Sequence, residues 1–118
     1  MTKLESLKKN YHFQKVLRNR VISNECFTIY RSKNFLDKKN KSKKLYISFV
    51  MRKKIGNAVK RNKIKRKLKA IVQKLIKINS AINLNYIYVI FGKEKAYKEY
   101  SDTLFEKMKK SFKRLSIV

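Results

Sequence analysis

Residues 52–69 read Arg-Lys-Lys-Ile-Gly-Asn-Ala-Val-Lys-Arg-Asn-Lys-Ile-Lys-Arg-Lys-Leu-Lys. The chemistry open to such a run is the binding of phosphate. From Ala58 onward the apolar residues Ile64, Leu68, Ile71, Val72 and Leu75 recur at helical spacing, so the run is the start of an amphipathic helix. Lys60, Arg61 and Lys63 then occupy its first turns, where the helix dipole disfavours a cation by about 0.3–1 kcal/mol. Arg61/Lys65, Lys65/Lys69 and Lys63/Lys67 are like charges four residues apart, each pair destabilising by about 0.2–0.5 kcal/mol. A bound polyanion reverses both penalties. The helix start offers backbone amides to a phosphate, and Gly56-Asn57 lets the backbone approach it closely. At 100° per residue Asn62, Arg66, Lys69 and Gln73 lie opposite the apolar stripe, with Lys65 between the two faces.

Other chemistry is absent from the pattern. His12 is the single histidine and Cys26 the single cysteine, which excludes an internal disulfide and a cysteine-based zinc site. There is no phosphate-cradling glycine loop and no nucleophilic serine motif. Glu99, Asp102 and Glu106 fall at the start of an expected helix, where carboxylates complement the dipole. No catalytic residue and no metal ligand is expected in the protein itself.

The totals support a polyanion partner. The 118 residues carry 33 Lys+Arg against 7 Asp+Glu, a formal charge of +26, and no acid occurs between Asp37 and Glu94. Such a chain repels itself unless a partner supplies negative charge. Hydrophobic residues make up 43% and aromatics 12%, enough for a core and too many for a disordered basic tail. The length fits one domain, residues 1–118. No apolar run reaches the roughly 18 residues of a membrane span, and the N-terminus has no signal-peptide core. A soluble, cytoplasmic protein is expected.

The elements that must position the basic helix follow from periodicity. Residues 10–18 form a short helix with Asn10 as its cap and Phe13, Val16 and Leu17 on one face. Residues 26–31 alternate as a strand, Phe27 and Ile29 against Thr28 and Tyr30, and a weaker strand is placed at residues 20–23. Leu45, Ile47, Phe49 and Met51 mark another strand, and residues 84–91 a buried one. Residues 37–44 form a charged loop, and residues 102–115 a last helix with Thr103 and Glu106 at capping-box spacing. The expected fold is α+β, a single-domain α-β sandwich of order α-β-β-β-α-β-α.

The wording of the basic segment goes further than its charge. Lys-Lys-Ile-Gly-Asn-Ala-Val-Lys-Arg-Asn-Lys-Ile-Lys-Arg closely resembles the signature of the bacterial ribonuclease P protein subunit, in which a Gly-Asn-Ala-Val turn leads into an Arg-Asn-Arg helix. The segment from Leu7 to Leu17 resembles that family's N-terminal Leu-Lys-x-x-x-x-Phe-x-x-Val pattern, and Phe27-Thr28-Ile29-Tyr30 falls where the family has a Phe-x-x-Tyr strand. Lys63 departs from the third motif position, and Lys69 stands where arginine is frequent. Lysine keeps the charge there but loses the planar fork. Met51-Arg52 replaces a small-residue stretch.

The resemblance implies a left-handed βαβ crossover, the less common hand, and a subunit of an endoribonuclease whose active centre lies in RNA. It implies that Lys53, Lys54, Asn57, Arg61, Asn62, Lys63, Lys65, Arg66 and Lys69 face the catalytic RNA. Lys9, Phe13, Leu17 and Tyr30 would receive the 5′ leader of precursor tRNA. Mg2+ would act at the level of the holoenzyme, bound mainly by RNA. A ribosomal protein would share the charge and the mixed architecture, but not the Gly-Asn-Ala-Val-Lys-Arg-Asn wording. A major-groove DNA reader is disfavoured by a helix with few residues suited to base edges. A membrane-surface protein is disfavoured because the apolar side of the helix is needed for a core.

Overall fold

The computed structural model describes residues 2–39, 43–78 and 80–117. Asn40, Lys41 and Ser42 of the expected charged loop lie outside the described residues. The elements run β1 (Lys3–Glu5), α1 (Asn10–Val16), β2 (Arg20–Ser23), β3 (Phe27–Lys33), β4 (Lys44–Val50), α2 (Ala58–Leu75), β5 (Tyr86–Gly92) and α3 (Ser101–Ile117), with 3₁₀ turns at Lys53–Ile55 and Glu94–Tyr97. The expected α+β order is present with one strand added in front. β1 is three residues long, too short to carry a period of two, and exists because it pairs in parallel with β4, Leu4 opposite Leu45.

The sheet order is β1-β4-β5-β3-β2. β4 and β5 are parallel neighbours joined through α2, whereas β5–β3 and β3–β2 are antiparallel. Alternation along each strand then builds two cores. On one face Phe27, Ile29, Leu45, Ile47, Tyr88 and Ile90 meet the stripe Ile64, Leu68, Ile71, Val72 and Leu75 of α2, together with Leu104, Met108, Phe112 and Leu115 of α3. On the other, α1 buries Val16 against Ile87 and Val89, with Phe13, Leu17, Tyr30 and Phe91 partly covered.

Several boundaries move for local reasons. α1 is capped by Lys9, which is extended and makes no side-chain cap bond, so Asn10 is the first helical residue and not the cap. α3 begins at Ser101, with Leu104 N–H donating to Tyr100 O at 3.0 Å, which puts Thr103 and Glu106 inside the helix and leaves the capping-box reading unsupported. β5 starts two residues late because Asn83 builds a turn. Its Oδ1 accepts Asn85 N–H at 2.9 Å, and its carbonyl accepts the Tyr88 hydroxyl at 2.9 Å.

One contact sets how closely α2 lies on the sheet. A Cβ at Gly92 would collide with Met51 Sδ and stand 2.9 Å from Ile64 Cγ2. The missing side chain is the space into which the helix settles. Gly92→Ala is expected to destabilise the fold by about 1–3 kcal/mol, the usual cost of overpacking a core, read as a lower urea midpoint with an unchanged slope.

Candidate nucleic-acid interface

The chain approaches α2 through Arg52 and the 3₁₀ turn of Lys53 and Lys54, which is pinned by the buried Ile55. Gly56 follows with φ 153° and ψ −162°, a conformation that L side chains rarely adopt. Asn57 then caps the helix, its Oδ1 accepting Lys60 N–H at 2.9 Å. The acceptor oxygen of this expected RNA contact is therefore engaged in starting α2. The amides of Ala58 and Val59 have no partner within the helix and remain at its positive end.

α2 divides its cations by rotation. On the flank towards β4, Lys65 and Lys69 line a concavity of about 230 Å³ with Leu7, Phe13, Ser48 and Phe49. Arg61, Asn62 and Lys65 line a smaller one of about 190 Å³ beside Phe49 and Met51. The half-buried Arg61 has an Nε with no hydrogen-bond acceptor among the described residues. The outer face carries the exposed Asn62 and Arg66.

On the opposite flank the lysines serve the fold. Lys60 pairs with Glu94 at 2.9 Å and lies 5.1 Å from the centroid of the Tyr97 ring, and Lys63 is 4.9 Å from the same ring. The Lys60 ammonium holds the Glu94 carboxyl below its ordinary pKa, chiefly through the hydrogen bond. Lys67 donates to the carbonyls of Ala96 at 2.9 Å, Tyr97 at 3.0 Å and Glu99 at 2.6 Å. Burial, and then the neighbouring Lys63, lower its pKa. Nothing in the sequence separates Lys67 from its neighbours, because its acceptors lie some thirty positions along the chain.

Among the described residues, none of Lys53, Lys54, Arg61, Lys63, Lys65, Arg66 and Lys69 is in an ion pair with an acid. Glu25, just before β3, is engaged elsewhere. Glu25 is held below its usual pKa by Lys95 first and then Lys107, and it bridges both.

The second expected surface lies on the α1 side of the sheet. Phe13, Leu17 and Tyr30 are half-buried there, and Lys9 is exposed. Tyr30 packs edge-on against Phe91 with centroids 5.4 Å apart, and the Arg52 guanidinium lies 5.0 Å from the Phe91 centroid. These residues join Ser23, Thr28, Lys54 and Lys93 around an open concavity of about 420 Å³. Lys93 is held by Ser23 Oγ at 3.0 Å and Asn24 O at 2.6 Å. The structure thus separates the expected leader residues: Tyr30 lines this hollow, Phe13 lines the gap shared with Lys65 and Lys69, and Lys9 stands at the start of α1. Sequence reasoning does not mark Phe91 and Arg52 for this surface. Alternation puts Phe91 on the face of Ile87 and Val89, but only the pairing of β3 with β5, Tyr30 opposite Val89, places it beside Tyr30.

A family model described as Ribonuclease P matches residues 1–116. The chain belongs to the ribonuclease P protein family. The ribonuclease P protein component of Mesomycoplasma hyopneumoniae (strain 7448) is 31% identical over 117 residues, covering 98% of this chain and 96% of that protein. That of Bacillus pumilus is 34% identical over 116 residues, covering 98% and 87%. Among solved structures, the Staphylococcus aureus RNase P protein superposes with a TM-score of 0.66 at 26% identity over 95% of this chain and 93% of that one. The Thermotoga maritima RNase P protein shares the fold with a TM-score of 0.72 at 23% identity, covering 93% of this chain and 96% of that one. The family assignment makes this chain a ribonuclease P subunit. No helix among its described residues is long and apolar enough to cross a membrane.

Lys67→Ala leaves three carbonyls without their donor. It should lower stability by about 1–3 kcal/mol, the range for unsatisfied buried polar groups, measured as a fall in urea midpoint. Lys65→Ala, on the exposed flank, should leave the midpoint almost unchanged.

Proposed function

We propose that this ribonuclease P protein docks on the catalytic RNA through α2 and receives the 5′ leader of precursor tRNA on the α1 side of its sheet, supporting endonucleolytic removal of the leader. The observation that carries the reading is a helix whose cations on one flank and on its outer face have no acidic partner among the described residues, while those on the other flank are engaged internally. Arg61 is the sharpest case, because a half-buried guanidinium with an unpaired Nε is completed by a phosphate oxygen. For the leader, an open aromatic surface flanked by Arg52, Lys54 and Lys93 suits unpaired bases, whose faces stack and whose phosphates meet the cations.

The active centre belongs to the RNA subunit in this reading. The protein has no group of three or more His, Cys, Asp or Glu among its described residues that could hold a metal ion, and Mg2+ is assigned mainly to RNA phosphates in the holoenzyme. The protein's part is to neutralise, orient and hold RNA in the cytoplasm, where its substrate is made.

Reconstitution with a bacterial ribonuclease P RNA at low magnesium tests this directly. The protein should stimulate cleavage of precursor tRNA, and a folded protein that gives no stimulation overturns the proposal. Changing Arg61, Lys65 and Arg66 together to Ala should weaken binding to the catalytic RNA. The log–log salt dependence should flatten by about 0.9 for each phosphate that is no longer neutralised. Tyr30→Ala should cost about tenfold in affinity for precursor with a long leader, within the range for removing one base stack, while binding of leaderless tRNA stays level.

A further inference from the structure

α1 crosses the sheet, and its far side carries a second set of aromatic rings and cations that the proposed function does not use. Tyr11 is 63% exposed. Its ring centroid lies 4.3 Å from His12, and His12 lies 5.4 Å from Phe35, at interplanar angles of 61° and 57°. Lys15 Nζ stands 4.3 Å from the centroid of Phe35. Three rings in sequence beside a cation form a platform of the kind on which unpaired bases stack.

The platform runs into a pocket. Phe35 also lines an open cavity of about 460 Å³ with Lys33, Asn34, Lys38, Asn85 and Tyr86. Asn34 is 6% exposed. Its Oδ1 accepts the amides of Leu36 at 3.1 Å and Asp37 at 2.8 Å, and its backbone N–H donates to Asn85 O at 2.9 Å. These bonds fix the orientation of the side-chain amide. Its Nδ2 is left as a buried donor without an acceptor among the described residues, an arrangement that native proteins rarely tolerate unless something else completes it. Beside it, Asn85 is exposed and carries both a donor and an acceptor, the pairing that reads a base edge.

We propose that this strip, from Tyr11 over His12 and Phe35 into the Asn34 pocket, is a second site for single-stranded RNA that takes the 5′-distal nucleotides of a long leader. The inference rests on the leader-binding role proposed for the α1 side of the sheet. What ties the strip to the leader is continuity: Lys9, expected on the leader path, places its ammonium 5.8 Å from the centroid of the Tyr11 ring. A strand held at Lys9 meets Tyr11 next and passes over α1 to Phe35. Bases then stack on the rings, Lys15, Lys33 and Lys38 face the phosphates, and a base or phosphate oxygen entering the pocket is the acceptor that Asn34 Nδ2 lacks.

The test uses the reconstituted ribonucleoprotein and precursor tRNAs of graded leader length, with Tyr11→Ala and Asn85→Ala as separate variants. Both positions are exposed, so neither change should alter the melting curve. Wild-type affinity should climb as the leader lengthens and level off only after the strip is reached. Each variant should match wild type on short leaders and lose about tenfold on long ones, the order expected for one stack or one base interaction. Equal loss on short and long leaders, loss of affinity for the catalytic RNA alone, or no loss at all would overturn the proposal. A wild-type affinity independent of leader length at every step would instead remove the leader reading itself, and the strip's assignment with it.

Discussion

The approach of α2 to the sheet at Gly92 is the constraint on which the rest depends. With no Cβ at that position, Ile64 and Met51 close over the end of β5, and α2 lies flat enough to bury its whole apolar stripe. A helix held in that way has its rotation fixed. Arg61, Lys65 and Lys69 are thereby directed along the open edge of β4, and Lys60, Lys63 and Lys67 towards Tyr97. The division between lysines left open and lysines that serve the fold follows from packing, since the side chains are chemically alike.

Few acids are available, and their placement governs where positive charge remains. Glu94 and Glu25 clip Lys60, Lys95 and Lys107 around the turn between β5 and α3. Exposed pairs of this kind contribute little stability, and among the described residues no acid pairs with Arg61, Lys65 or Lys69 on the opposite side of α2. Lys67 goes further by satisfying three carbonyls in and just after the 3₁₀ turn that precedes α3. A cation there joins two segments through their backbone dipoles.

The two faces of the sheet differ in how fully they are covered. Two long helices close one face. The other carries α1, seven residues long, which seals Ile87 and Val89 but leaves Tyr30, Phe35 and Phe91 only partly covered on either side of it. A short helix over a five-stranded sheet cannot bury all of its aromatic surface. What remains open is flanked by cations, and that suits an unpaired strand better than a protein partner of ordinary surface charge. Much of this architecture is legible in the sequence. The α2 stripe, the faces of β3 and β4 and the mixed α+β order follow from residue type and local period, which act over a few positions, and the family was legible as a resemblance in the wording of residues 53–66. Local pattern was a poor guide to ends. Asn10 and Thr103 look like caps in sequence, but both residues are already helical, because α1 starts at Asn10 and α3 at Ser101.

The sequence by itself determined that cations crowd the first turns of one helix against its dipole and, through the wording of residues 52–69, which family the chain resembles. Only the tertiary structure decided which of those cations face outward. It also added β1, brought Phe91 and Arg52 beside Tyr30, and set Asn34 in one cavity with Asn85 and Tyr86. Each of these rests on contacts between segments far apart in the chain. Periodicity cannot encode such contacts, because they are fixed by strand pairing and by the space left when the core closes.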